Sequence, residues 1–210
     1  MIKLYRFAYS PYALKVQFLL QALKLPCELV DVPFGNREEL AVLTGGRVVV
    51  PALEHDGRVL VESRDICQYL LTLVDNNLVP ENEAATIWAY ADWSDSTLED
   101  ALFRIATPGI QQKFSTEFEK GLFAFVKERK YGTGCVQEWQ LGQDKLIARA
   151  RELLAPTLGV LKKTSTVNGK EFSYCDICLA AQLAMVNYAD PALVAAIDPA
   201  LTTFLQPFLE

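Results

Sequence analysis

The chain has 210 residues, of which 51% are hydrophobic and 22% are charged, and its formal net charge is −6. This length and composition are typical of a globular protein with one large domain or two small ones. The acidic balance argues against a general nucleic-acid or anionic-membrane binder, since both need a basic surface. The first residues form no apolar signal segment and no later run could cross a membrane, so we expect a cytoplasmic protein.

Cysteine and histidine usage argues against two further kinds of site. The five cysteines are an odd number scattered along the chain, which does not suggest a disulfide framework. His55 is the only histidine, so we expect no histidine-based metal site. Cys175 and Cys178 have the spacing of a redox or metal pair, but they open a helix in the second half of the chain. We interpret them as small buried residues and predict no bound metal.

The first third of the chain alternates strands and helices. Its patterns predict a strand at 2–7, a helix at 12–23, a strand at 27–32, a short helix at 37–43, a hairpin around Asp56-Gly57 and a helix at 63–73. This βαβ-α-ββα order is typical of a thioredoxin-like domain, in which the first βαβ unit supplies parallel strands. We place that domain at residues 1–75.

Every element predicted after a polar, turn-rich segment at 75–82 is helical. Helices are predicted at 84–106, where Thr107-Pro108-Gly109 stops the pattern, at 116–129, and at 137–163, where Pro156 either bends the helix or starts a new segment; Pro191, Pro199 and Pro207 break the tail into short helices. Residues 175–188 are apolar nearly all round, as expected of a buried central helix. The fold class predicted is therefore an α/β thioredoxin-like domain followed by an all-α domain at residues 84–210.

The most informative stretch covers residues 48–65. Pro51 lies inside a strand pattern, where proline cannot donate to the ladder. A cis Val50-Pro51 bond would explain it by turning the preceding backbone amide and carbonyl outward. Glu62 and Ser63 then fall at the start of a helix, where free N–H groups favour an anion and Ser63 is a favourable N-cap. These features indicate a binding site, although a plain hairpin before a serine-capped helix is the alternative.

This Val-Pro-x-Leu segment, followed by a turn, a strand and a Glu-Ser pair, resembles the glutathione-binding half of cytosolic glutathione transferases. The resemblance implies that Val50, before a cis Pro51, pairs with the cysteinyl backbone of glutathione. It also implies that Glu62 and Ser63 hold the γ-glutamyl end, and that the protein is a homodimer. Glutathione would be a co-substrate bound without a metal.

Two further features extend the resemblance. The glycyl carboxylate of glutathione usually meets a cationic or amide side chain near the second helix, and Arg37 and Arg47 are the available cations. Ser173 and Asp176 fit a capping box, with Asp in place of the usual Glu or Gln. A similar Ser/Thr-x-x-Asp element opens the core helix of the helical domain in glutathione transferases, which implies a role in folding and stability.

The candidate chemistry lies in the loop after the first strand. Glutathione transferases lower the pKa of the bound thiol so that the nucleophilic thiolate forms, and the resemblance places the responsible residue in this loop or at the start of the first helix. Ser10 matches the position of the cysteine in a Cys-Pro-Tyr-type motif of thioredoxin-like relatives, so we predict that it is the catalytic hydroxyl. A simple N-cap with Pro11 at the first helical position is the alternative. Tyr5 and Tyr9 are rival hydroxyls.

The function predicted is conjugation of the glutathione thiol to electrophilic, largely apolar small molecules, as in detoxification. Serine in place of cysteine favours thiolate stabilisation over mixed-disulfide chemistry. Glutathione-dependent reduction of peroxides or disulfides at the same site is one alternative. A non-catalytic binding protein of the same fold is another, because fold alone does not imply function.

Overall fold

The computed structural model describes residues 1–210. The first half of the chain forms a four-stranded sheet flanked by helices. The strands are β1 (Ile2–Arg6), β2 (Cys27–Asp31), β3 (Ala52–His55) and β4 (Arg58–Val61), and the helices of this half are α1 (Pro11–Ala22), α2 (Glu38–Leu43) and α3 (Ser63–Leu71). The strand order is β2-β1-β3-β4, in which β1 and β2 are parallel and the other pairs are antiparallel. The predicted thioredoxin-like arrangement is confirmed.

The second half is helical, as predicted. Its helices are α4 (Ala84–Trp93), α5 (Glu99–Gln112), α6 (Glu117–Tyr131), α7 (Cys135–Leu141), α8 (Gln143–Thr164), α9 (Tyr174–Ala189), α10 (Pro191–Ile197) and α11 (Pro199–Leu209). A short 3₁₀ turn (Glu81–Glu83) precedes α4, and a π-helical turn (Ser94–Leu98) joins α4 to α5. No helix combines the length and the apolar character needed to cross a bilayer.

The predicted stop at Thr107-Pro108-Gly109 is wrong, because α5 continues to its end at residue 112 with Pro108 inside it. The Thr107 hydroxyl donates to a carbonyl of the preceding turn. Gly109 lets α5 approach α9 closely, since a Cβ atom built on it would lie 3.0 Å from the Cβ atom of Ala189. Tertiary packing against α9 therefore outweighs the local cost of the proline.

Two other predicted boundaries also differ from the structure. Pro207 lies within α11 and does not break the tail there. The single helix predicted at 137–163 is two helices separated at Gly142, while Pro156 lies inside the second of them. The break at Gly142 is local, since glycine is a poor helix former, whereas α8 and α11 continue through their prolines while they pack on neighbouring helices.

Helix α9 lies at the centre of the protein and is buried nearly all round, as predicted. It packs against α1 of the first half and α5 of the second, so one continuous apolar core joins the two halves. The predicted capping box at its start is confirmed: the Ser173 N–H donates to the Asp176 carboxylate at 2.8 Å. That carboxylate also accepts the Val167 N–H at 2.8 Å, which ties the preceding loop to the helix.

A buried ion pair also joins the two halves. The Lys15 side chain of α1 is 2% exposed and its ammonium contacts the Asp95 carboxylate of the π-helical turn. The Tyr12 hydroxyl donates to the Asp95 carbonyl at 3.0 Å. Burial, the largest single effect, lowers the pKa of Lys15, but the charge and hydrogen bond of Asp95 and the neighbouring thiols together outweigh it, so the pKa is raised and Lys15 stays charged.

Candidate functional site

A cavity with a volume of about 360 Å³ lies between the first half and the helices of the second. Ser10, Arg37 and Val50, three of the predicted site residues, line it together. Around them lie Phe7, Tyr9, Tyr12 and Phe34 from the first half, and Glu99, Phe103, Lys127, Lys130 and Tyr131 from α5 and α6. The structure therefore brings the predicted hydroxyl, one predicted cation and the residue before the proline into one cleft.

Ser10 is the N-cap residue of α1, with φ −75° and ψ 118°, and Pro11 is the first helical residue. Its hydroxyl nevertheless makes no capping hydrogen bond. The residue is 8% exposed and lines the cavity. Ser10 thus occupies the N-cap position without a side-chain cap, and its hydroxyl remains available to a ligand beside the helix N-terminus. Its catalytic role stays a prediction.

The rival tyrosines lie in different surroundings. Tyr5 packs with Leu40 and Ala52 in a separate small cluster, and its hydroxyl donates to Glu54 at 3.4 Å, away from the cavity. Tyr9 lines the cavity, but its hydroxyl is buried without a hydrogen-bond partner among aromatic rings. Burial raises the pKa of Tyr9. Ser10 therefore has the better placed hydroxyl for contact with a ligand.

The Val50-Pro51 peptide bond is cis, as the sequence predicts. The β3 ladder begins at Ala52, which pairs with Tyr5 of β1, so Val50 precedes the paired residues. The amide and carbonyl of Val50 make no hydrogen bond within the protein. Both groups are therefore free to pair with the backbone of a peptide ligand.

Glu62, Ser63 and Arg47 lie together outside the residues that line the cavity. Arg47 donates to the Glu62 carboxylate, and the two side chains are 54% and 58% exposed. Glu62 has φ 71° and is the N-cap of α3, whereas Ser63 is its first helical residue. The prediction of Ser63 as N-cap is thus wrong by one residue, because the unusual backbone of Glu62 starts the helix. The Ser63 N–H is still among the unpaired first-turn donors.

Arg37 faces the cavity, unlike Arg47. Its guanidinium donates to the carbonyls of Phe34 at 3.2 Å and Val48 at 3.5 Å and lies 5.1 Å from the centre of the Phe7 ring. It forms no ion pair with a carboxylate. Burial lowers the pKa of Arg37, and the neighbouring Tyr9 partly offsets this. A fixed cation without a carboxylate partner could accept an anionic ligand group here.

The comparisons with known proteins concern both the first half and the whole fold. Residues 4–78 match the family model of the glutathione S-transferase N-terminal domain. This segment is a glutathione S-transferase N-terminal domain. A search of proteins with curated function returns no match.

Solved structures with the same fold cover almost the whole chain. Glutaredoxin 2 from Salmonella typhimurium, in complex with glutathione, is 20% identical over 98% of both chains with a TM-score of 0.71. A glutathione S-transferase from Rhodospirillum rubrum is 20% identical over 98% of this chain and 86% of that chain, with a TM-score of 0.71. One from Ceriporiopsis subvermispora, in complex with glutathione, is 14% identical over 99% and 96%, with a TM-score of 0.72. The whole chain therefore has the glutathione S-transferase fold.

Sequence reasoning did not find the charged residues on the helical wall that faces the glutathione S-transferase N-terminal domain. Glu99 begins α5, and Lys127 and Lys130 lie near the end of α6. Burial raises the pKa of Glu99 to about 7, partly offset by Lys130 and Lys127, while nearby Asp100 and Asp95 raise it further. Burial lowers the pKa of Lys127 to about 8. In the sequence these residues are indistinguishable from an ordinary solvated helix face.

A larger cavity, of about 800 Å³, lies elsewhere, between α1, α8 and α11. Phe18, Leu161 and Phe204 are among the apolar side chains that line it. It contains none of the predicted site residues and no part of the loop that precedes α1. We therefore assign the candidate site to the smaller cavity between the two halves, where Ser10, Arg37 and Val50 converge.

Proposed function

We propose that the protein is a glutathione transferase that joins the thiol of glutathione to an electrophilic small molecule. The observation that carries the proposal is the free hydroxyl of Ser10, at the N-terminus of α1 and in one cleft with Val50. Two structures of the same fold were solved in complex with glutathione, which supports this choice of ligand.

Binding of glutathione would use both parts of the site within residues 1–75. The free amide and carbonyl of Val50, next to the buried Pro51, would pair with the cysteinyl backbone. Glu62 and the first-turn N–H of Ser63 would hold the ammonium and carboxylate of the γ-glutamyl end. The tripeptide would then run from this exposed rim into the cavity.

The two arginines would have different tasks. Arg37 faces the cavity with no carboxylate partner, so it would bind the glycyl carboxylate. Arg47 is held by Glu62 and would orient that carboxylate towards the γ-glutamyl ammonium. Because this pair is more than half exposed, it contributes little energy by itself and can yield to a ligand.

In the reaction, the Ser10 hydroxyl would donate a hydrogen bond to the glutathione sulfur, and the N-terminus of α1 would favour its negative charge. The thiol proton passes to solvent. The thiolate forms a carbon–sulfur bond with the electrophile, and the leaving group departs with the electron pair of the bond that breaks. Ser10 itself forms no covalent bond, so no mixed disulfide with the protein arises at this position.

Retention on immobilised glutathione and a chromogenic conjugation assay test the proposal. We expect Ser10→Ala to be retained but to lose about 10²-fold or more in kcat/KM, the scale for removal of one donor to a developing charge. Ser115→Ala, in an exposed loop, is the matched control and keeps the wild-type rate.

The outcomes separate the alternatives. If wild-type protein is neither retained nor active, the glutathione proposal is wrong. Retention without conjugation or reduction identifies a non-catalytic binding protein, and turnover of peroxides or disulfides alone identifies the reductase alternative. Full activity of Ser10→Ala removes Ser10 from catalysis and makes Tyr9 the next hydroxyl to test.

A further inference from the structure

Two lysines on the helical wall of the cavity form no direct ion pair. Lys127 and Lys130 line the cavity together with Ser10, and neither ammonium contacts a carboxylate directly, although the charge of Glu99 acts on both. The Lys127 ammonium instead lies 4.8 Å from the centre of the Phe103 ring and 4.7 Å from that of Phe123. Such contacts attract a cation only weakly compared with a carboxylate partner.

The desolvation cost of this arrangement distinguishes the half-buried Lys127 from the buried Lys15. Lys15 is buried but paired with Asp95, which compensates its lost hydration. Lys127 is half-buried without a carboxylate in direct contact, and Glu99 offsets only part of the hydration that it loses. A side chain held in this state in a cleft is a candidate for ligand contact, because a bound anion would supply the missing partner.

The charge of the whole cavity points to the same ligand chemistry. Its lining contains the cations Arg37, Lys127 and Lys130 but a single carboxylate, Glu99, although the chain as a whole has a net charge of −6. Arg37 has a partner in the proposed glutathione complex, namely the glycyl carboxylate. The two lysines on α6 remain for a second anionic group.

We propose that the second substrate is an aromatic electrophile that carries an acidic group. Its anion is bound by Lys127 and Lys130, and its ring packs on Phe103 and Tyr131 in the same wall. This inference rests on the proposed glutathione transferase function and replaces the largely apolar substrate that the sequence predicts. The acidic group is recognised but not consumed.

The test uses two aromatic chlorides that differ by one carboxylate group, chlorodinitrobenzene and chlorodinitrobenzoate, and compares each variant with the wild type so that their different intrinsic reactivities cancel. With either compound the glutathione sulfur forms a bond to the ring carbon, chloride leaves with the electron pair of the carbon–chlorine bond, and the thiol proton passes to solvent. The measured quantity is kcat/KM for the anionic compound divided by kcat/KM for the neutral one, at saturating glutathione. This ratio cancels any common effect on the thiolate.

We expect Lys127→Met and Lys130→Met each to lower this ratio by about tenfold or more, the scale of a hydrogen bond to a charged group. Lys127→Arg keeps most of the preference because it retains the charge. Lys145→Met, at an exposed position outside the cavity, is the matched control and leaves the ratio unchanged. An unchanged ratio in both cavity variants overturns the inference.

Two further measurements establish which molecule the lysines bind. If the variants raise KM for glutathione equally with both compounds and leave the ratio unchanged, the lysines bind a glutathione carboxylate and the inference is wrong. If the wild type turns over neither compound, conjugation fails, and calorimetric binding of unreactive dinitrobenzoate and dinitrobenzene decides the anion site by itself. Tighter binding of the anion that is lost in Lys127→Met supports the site, and equal binding of both compounds overturns it.

Discussion

The substitution Lys15→Met should show how strongly the buried ion pair couples the two halves of the protein. Removal of one partner of a buried pair costs about 3–5 kcal/mol, because the other charge remains without compensation. Lys15 is 2% exposed, but Asp95 is 25% exposed and water can solvate part of its charge. We therefore expect Lys15→Met to lower the free energy of unfolding by about 2–4 kcal/mol.

Urea unfolding followed by tryptophan fluorescence and by circular dichroism measures this loss, and coincident transitions establish two-state behaviour. With a slope of about 2–3 kcal/mol per molar urea, the midpoint should fall by about 1 M. Lys145→Met, on an exposed helix surface, should leave it unchanged. The double variant Lys15→Met/Asp95→Leu should recover most of the loss, since an apolar pair avoids the unpaired charge. A single-variant loss below about 1 kcal/mol would refute the reasoning.

Three other predictions concern the start of α9 and the cavity. Asp176→Ala leaves two buried N–H groups without an acceptor and should lower the free energy of unfolding by about 2–4 kcal/mol. The loss is measured as a fall in Tm, and a fall no larger than that of an exposed substitution contradicts this prediction. As the pH rises, Glu99 ionises near its raised pKa of about 7 and repels the anionic compound, and Lys127 then loses its positive charge near its lowered pKa of about 8. The kcat/KM ratio of the anionic to the neutral compound should therefore fall in two steps. Glu99→Gln should raise this ratio at neutral pH and abolish the first step, and two unchanged steps contradict the assignment. The other ionisable groups near Glu99 are Lys130, Asp100, Asp95 and Tyr12. Arg37→Met should raise KM for glutathione about tenfold and Arg47→Met less, since only Arg37 faces the cavity, and steady-state kinetics with varied glutathione would expose the reverse order.

The parts of the fold that could be predicted are those fixed by local rules. Pro51 in a strand pattern requires a special backbone, and the structure has the cis bond there. The Asp56-Gly57 turn and the Ser173–Asp176 capping box likewise follow from a few neighbouring residues. The thioredoxin-like order follows because each element has a clear period and a clear boundary.

The parts that could not be predicted depend on packing between distant segments. The helix through Pro108 needs the close contact of Gly109 with α9, and the pairing of Arg47 with Glu62 needs the geometry of two loops. The lysines of α6 become cavity residues only because that helix faces the N-terminal domain. Homodimer formation, a cytoplasmic location and the domain limits at 75 and 84 stay predictions.

The most informative single residue is Ser10, because its two interpretations predict opposite results for one substitution. A serine that only caps a helix contributes about 1 kcal/mol through a hydrogen bond to the first turn, and its loss would lower stability without affecting activity. Here the hydroxyl makes no such bond and faces the cavity, while Pro11 already removes one N–H that would need a partner. Ser10→Ala should therefore leave the urea midpoint almost unchanged and raise the pKa of bound glutathione thiol, measured by the ultraviolet absorbance of the thiolate as a function of pH. A shifted urea midpoint with an unshifted thiol pKa would make Ser10 a helix cap and no more.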